Sequence, residues 1–226
     1  MPRRPIPSFD LNTFSGPFRQ ESDRACAVLG AALLDARLES LYNRRLRTFK
    51  EELLSNSGPL GAFSARIKVA GALAWISEDV RFDLDQIRSI RNEFAHNFDH
   101  ELNFANQAIA DKCGTLRVAQ TLIDAHEYAA SIPHRNLSAE VFRAMGAIFA
   151  PSRQRFEVTV EMLAQHIDEL TADPVKYAGP SLRDELWALG SNINIKVSAT
   201  AIVGLSPPQS EQSQSVQTSG AGGSEA

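Results

Sequence analysis

SEDVRFDLDQIRSIRNEFAH, residues 77–96, is the stretch whose reading decides the fold. Leu84, Ile87, Ile90 and Phe94 recur at intervals of three and four, the stripe of a helix with one face on a core. Ser77-Glu78-Asp79 starts the helix ahead of that stripe. Glu78 and Asp79 place negative charge in the first turn, where the helix dipole favours it. The spacing predicts a helix from Ser77 to about His96. Its last turns bring together Arg91, Asn92 and His96. Arginine holds an anion in two-point geometry and histidine moves a proton near neutral pH. Two readings stay open here: a small site for phosphate chemistry, or a polar knot that locks a helix bundle.

Working outward, the helical pattern continues in both directions. Ala25, Val28, Leu29, Ala32, Leu33 and Ala36 repeat at helical spacing behind Ser22-Asp23, and this stripe is expected to face the core. Leu38, Leu41 and Tyr42 carry the helix on. A segment from about Arg47 to Leu54 ends in Ser55-Asn56-Ser57-Gly58-Pro59, a loop signal, and Ser64 is expected to cap a helix from Ala65 to Ile76. Downstream helices are expected at about Phe104–Asp111, Thr115–Ala130, Ser138–Phe149, Ser152–Leu170 and Ser181–Leu189. The alternation Ile193, Ile195, Val197 has no second strand to pair with. The expectation is an all-α, single-domain multi-helix bundle. Residues 1–16, rich in proline, read as an extended arm, residues 17–200 as the helical domain, and residues 206–226 as a disordered Ser/Gln/Gly-rich tail that cannot offset its ordering entropy by burial.

Composition narrows the function classes. A hydrophobic content of 43% with 22% charged residues is that of a soluble globular protein. The net charge of −4 argues against a duplex-DNA grip, which draws its affinity from a basic face. One local basic patch stands out at Arg44, Arg45, Arg47 and Lys50. Cys26 and Cys113 make no disulfide framework and read as small buried apolar residues. His126, His134 and His166 lack metal-ligand spacing with acids or cysteines and are expected at the surface, while Trp75 and Trp187 are expected to pack. No metal and no cofactor is expected. No segment approaches the roughly 18 apolar residues that span a bilayer, and the N-terminus lacks the apolar run of a secretory signal, so a cytoplasmic location is expected.

Four segments together carry a resemblance. They are Glu21-Ser22-Asp23-Arg24-Ala25-Cys26-Ala27-Val28-Leu29-Gly30, Leu33-Leu34-Asp35-Ala36, Gly58-Pro59-Leu60-Gly61-Ala62-Phe63-Ser64-Ala65-Arg66-Ile67 and Ile87–His96. In that order and spacing they resemble the mannitol operon repressor (MtlR-like) family, well over about residues 14–115 and more weakly at Pro151–Leu170, where Ser152-Arg153-Gln154-Arg155-Phe156 is similar to the opening of that family's last main helix. The resemblance implies an all-helical transcriptional repressor. Its members lack an obvious helix-turn-helix, which implies action through another protein, such as a regulatory or transport-system component. A homodimer is expected, and direct DNA binding is not. The Arg91-x4-His96 pattern also resembles the HEPN superfamily, whose active members are metal-independent ribonucleases using such a pair across a dimer.

In the ribonuclease reading His96 is the base or acid, Arg91 holds the phosphate and Asn92 donates to it or orients His96. Arg91 and His96 are five positions apart, roughly 140° around a helix, so the pair converges only at a helix end or across subunits. Local charge disfavours RNA: Glu78, Asp79, Asp83, Asp85, Glu93, Asp99 and Glu101 outnumber Arg81, Arg88 and Arg91. In the structural reading Arg91 pairs with Asp23 or Asp35 while His96 caps the helix. Asp23, Arg24, Asp35 and Arg66 then join Arg91 in a buried ion-pair lattice that fixes helix register, a reading preferred because the resemblance reaches these positions; the alternative is that these charges simply point to water. The structural reading is preferred, and no catalytic residue is expected. Gly58-Pro59-Leu60-Gly61 lacks the lysine and preceding strand of a phosphate loop and reads as a tight inter-helix turn.

Overall fold

Helices and no strand make up the described residues of the computed structural model, which are 10–97, 101–132 and 138–173. The helices are α1 (Leu11–Gln20), α2 (Asp23–Arg45), α3 (Lys50–Leu53), α4 (Phe63–Ala72), α5 (Glu78–His96), α6 (Gln107–Gly114), α7 (Arg117–Ser131), α8 (Ala139–Ala147) and α9 (Ser152–Ala172). The all-α expectation holds across them. The helix read at 181–189, the alternation at 193–197, the tail, His134 and Trp187 lie outside the described residues.

The first difference is at the N-terminus. Helix α1 begins at Leu11, inside the stretch read as an extended arm. Asp10 caps it, accepting from the Asn12 amide at 3.1 Å and from the Thr13 hydroxyl at 2.5 Å. Pro17 lies within the helix, but Thr13 and Pro17 are both exposed, so the carbonyl left without a donor faces water. Phe14 stacks on Phe18 with ring centroids 4.6 Å apart, and Phe18 enters the core.

The second difference concerns α2. The buried face is Cys26, Ala27, Gly30, Ala31, Leu34, Leu38, Leu41 and Tyr42, whereas Val28, Leu29 and Ala32 of the expected stripe are exposed. This helix is apolar on two faces, and close approach chose between them. A Cβ on Gly30 would lie 3.0 Å from Val160 and 3.1 Å from Phe156, so only the face with Gly30 and its neighbouring alanines lets α9 come so near. Helix α2 packs on α9 along one side and on α5 along the other. Where they meet, Phe94, Phe104 and Phe156 form a chain of rings with successive centroids 5.1 Å apart.

Helix α4 starts at Phe63 with Ala62 as its cap residue, so Ser64 lies inside it. It stops at Ala72, short of Ile76, because Ala74 takes a left-handed conformation at φ 53°. The Trp75 amide then bonds the Ala70 carbonyl and the Ala74 amide bonds that of Gly71, the paired closure of a Schellman motif. Trp75 packs against Tyr42 at 5.1 Å. Helix α5 follows as the spacing predicts, with Leu84, Ile87, Ile90 and Phe94 buried, and the Ser77 hydroxyl caps it by accepting from the Val80 amide. Among the described residues no helix is long and apolar enough to cross a membrane.

Candidate functional site

Three successive residues at the α1–α2 junction, Ser22, Asp23 and Arg24, organise one end of the bundle. Ser22 caps α2, accepting from the Ala25 amide. Asp23 accepts from the Phe104 amide at 2.9 Å and binds Arg153, whose guanidinium also reaches Glu157 and the carbonyls of Arg19 and Glu21. Arg24 turns the other way and donates to the carbonyls of Phe94 and Asn97. The C-terminal carbonyls of α5 are thus closed by a cation from α2. His96, expected to cap this end, is exposed, and the cap residue is Asn97, whose amide bonds the Glu93 carbonyl.

Midway along α2 a second cluster forms. Arg66, only 4% exposed, donates to Asp35 through Nε at 3.0 Å and Nη2 at 2.5 Å, and through Nη1 to the Leu60 carbonyl at 3.0 Å. Glu39 lies 3.6 Å from Nη1, and the Tyr42 hydroxyl donates to the Arg66 carbonyl. Burial holds the Asp35 carboxyl above its ordinary range against the pull of Arg66, and Arg91 adds a weaker electrostatic pull. The guanidinium of Arg91 bonds the side-chain oxygen of its neighbour Asn92 at 3.2 Å. Of the residues expected in one lattice, Asp23 pairs with Arg153, Arg24 bonds backbone carbonyls, Asp35 pairs with Arg66, and Arg91 borders that last pair. No hydrogen bond joins Arg91 to His96 among the described residues.

The Gly58–Gly61 turn has no amides to offer an anion. Gly58 donates to Ser55, Leu60 to Leu53 and Gly61 to Gly58. A Cβ on Gly58 would sit 2.2 Å from the Glu52 carbonyl oxygen and one on Gly61 2.3 Å from that of Ser55, which explains both glycines. The thiols of Cys26 and Cys113 are buried, and burial pushes each up to about 12, which removes them as nucleophiles. His126 and His166, expected at the surface, are buried; His126 Nδ1 bonds the Leu122 carbonyl at 2.7 Å and its ring packs on Phe149. Among the described residues no group of His, Cys, Asp or Glu is arranged to hold a metal ion.

Several organising residues escaped the sequence reading. Arg19 forms a two-point contact with buried Glu161, docking α1 on α9. Buried Arg155 donates to the carbonyls of Cys113 and Gly114, closing α6, and Arg45 donates to Leu170 near the end of α9. Asp83, fully buried on α5, accepts from the amides of Arg117 and Val118 at 2.9 Å each and caps α7, whose own cap residue, Leu116, has no side-chain oxygen. The spacing of Arg153, Glu157 and Glu161, one helical turn apart in succession, was the available signal for a charged inner face on α9.

Compared with known proteins, residues 46–145 match the family described as MtlR, mannitol repressor. That span starts later and ends later than the resemblance read from the sequence, and it runs from α3 through most of α8. A solved structure of the MtlR–HPr complex from Escherichia coli shares 19% identity and a TM-score of 0.48, covering 72% of this chain and 98% of that one. No curated protein sequence matches the chain.

Proposed function

With a chain that is MtlR-like across residues 46–145 as the premise, we propose a non-enzymatic regulator of transcription, of the repressor or co-repressor type, that works by binding another protein such as a transport-system component. The observation that carries the reading is how the polar residues suited to chemistry are engaged. Arg24 and Arg66 each bond two partners within the fold, and Asp23 and Asp35 are bound to arginines. Arg91 holds Asn92, and His96 stands exposed at the helix end. In the ribonuclease reading guanidinium and imidazole converge on one phosphate, and no hydrogen bond joins Arg91 to His96 among the described residues. The net charge of −4 also favours a protein partner over duplex DNA.

The test uses the purified protein with promoter DNA and, separately, tagged protein retained in its own cell. Co-purification of one transport or regulatory component at fixed stoichiometry, with no shift of promoter DNA by the protein alone, is expected. Tight, salt-sensitive binding to that DNA by the isolated protein would overturn the reading. A homodimer fits it as well, and light scattering measures that directly.

A further inference from the structure

Among the described residues most arginines face a carboxylate, as Arg19, Arg37, Arg81 and Arg117 do. Arg44 and Arg47 break the rule: both are exposed, and neither forms an ion pair among the described residues. Between them and α3 stands Phe49, 73% exposed and held at φ 56°, a left-handed backbone that a bulky side chain rarely adopts. The helix dipole accounts for Arg44 and Arg45 in the last turn of α2, but not for Arg47 or for an outward phenylalanine. The segment is well anchored. The Leu46 amide bonds the Tyr42 carbonyl, the Phe49 carbonyl accepts from Leu53, and Lys50 Nζ reaches the Asn43 carbonyl at 2.7 Å. Behind it Arg45 lies over Trp75 at 5.3 Å.

We propose that Arg44, Arg47 and Phe49 form a docking knob for an acidic, partly apolar segment of a protein partner. The inference rests on the reading that the chain acts through such a partner, and it names the face and the chemistry. Aromatic and arginine side chains anchor protein interfaces most often, and a fixed backbone lowers the entropy lost on binding. The charge is complementary to carboxylates. It is too short a run for a nucleic-acid track, because Glu51 and Glu52 follow at once on α3 and the whole chain is acidic.

The test pans a displayed library of random peptides against the full chain and measures the recovered peptides on two variants. Phe49→Gly removes the ring and suits the left-handed backbone, so its thermal midpoint should hold or rise; Arg44→Glu with Arg47→Glu reverses the charge on exposed positions. Recovered peptides should combine Asp or Glu with large apolar residues, and each variant should weaken them at least tenfold. The inference is overturned if no peptide is recovered, if recovered peptides show no acidic bias, or if a single-stranded RNA oligonucleotide binds this patch more tightly than they do. Peptides that bind both variants as well as the parent also overturn it, while leaving the partner reading to its own test.

Discussion

The guanidinium of Arg24 closes on the backbone carbonyl of Phe94, so the first turn of α2 finishes the last turn of α5 across 70 positions of sequence. Arg24→Ala should destabilise the fold by about 1–2 kcal/mol, the value of a charge-assisted cap. Arg24→Lys should recover part of that, because a point charge still favours the helix end while the two-carbonyl fork is lost. Urea denaturation of the three proteins measures it; equal midpoints would show that water replaces the cap at no loss.

Asp83 gives the chain a pH signature. Burial pushes its carboxyl from the usual 3.8 up to about 6, despite the amide bonds from Arg117 and Val118. Within that window the folded state holds a proton that the unfolded chain has released, so stability falls as pH rises through it. The contribution is complete below 3.8 and gone above about 6. Wild type should therefore lose stability relative to Asp83→Asn by up to about 1.4 kcal/mol per pH unit across the window. A pH-independent difference between the two would sink the assignment.

Arg66 and Arg91 should separate cleanly. Arg66→Ala strands Asp35 beside Glu39 and frees the Leu60 carbonyl, for a loss of about 3 kcal/mol. Arg91→Ala gives up one bond to a neighbouring side chain and a weak pull on Asp35, for less than about 1 kcal/mol. Equal losses in thermal or chemical melts would mean that Arg91 bears on the packing as heavily as Arg66.

Ala74→Gly should raise stability by about 1 kcal/mol, since the left-handed backbone that closes α4 penalises a Cβ. A lower melting temperature would show that the alanine methyl contributes more than its backbone strain takes away.

His96→Ala should stay within about 0.5 kcal/mol of wild type, as expected for an exposed residue away from the cap bonds. Labelled RNA incubated with the wild-type protein in EDTA should remain intact. Cleavage that disappears in the variant would restore the ribonuclease reading.

What the sequence made legible were the elements that declare themselves locally. Helix α5 shows its Ser77-Glu78-Asp79 start and one apolar stripe, and α9 shows Val158, Leu163 and Ile167 at helical spacing. In α2 the position of the helix is legible but its rotation is not, because Val28, Leu29 and Ala32 alternate around the helix with an equally apolar set. The choice between those faces depends on how near Val160 and Phe156 can come to Gly30, a fact held by another helix. Helix α1 hid behind the prolines of its arm. In the candidate site, charged residues on α2 and α4 could be picked out individually. The partners of Asp23, Arg24 and Arg155 could not, since each bond spans dozens of residues and leaves no periodic trace.

The long-range caps have a consequence for dissection of the molecule. Arg24 completes α5, Arg45 reaches α9 and Arg155 completes α6, so a recombinant piece trimmed to the family-matched residues 46–145 would lose every one of these donors. It would also lose α9 and α2, the helix most extensively packed on α5. Such a fragment should emerge loosely ordered and sticky, and biochemical work on this chain calls for boundaries reaching from the Asp10 cap to the end of α9.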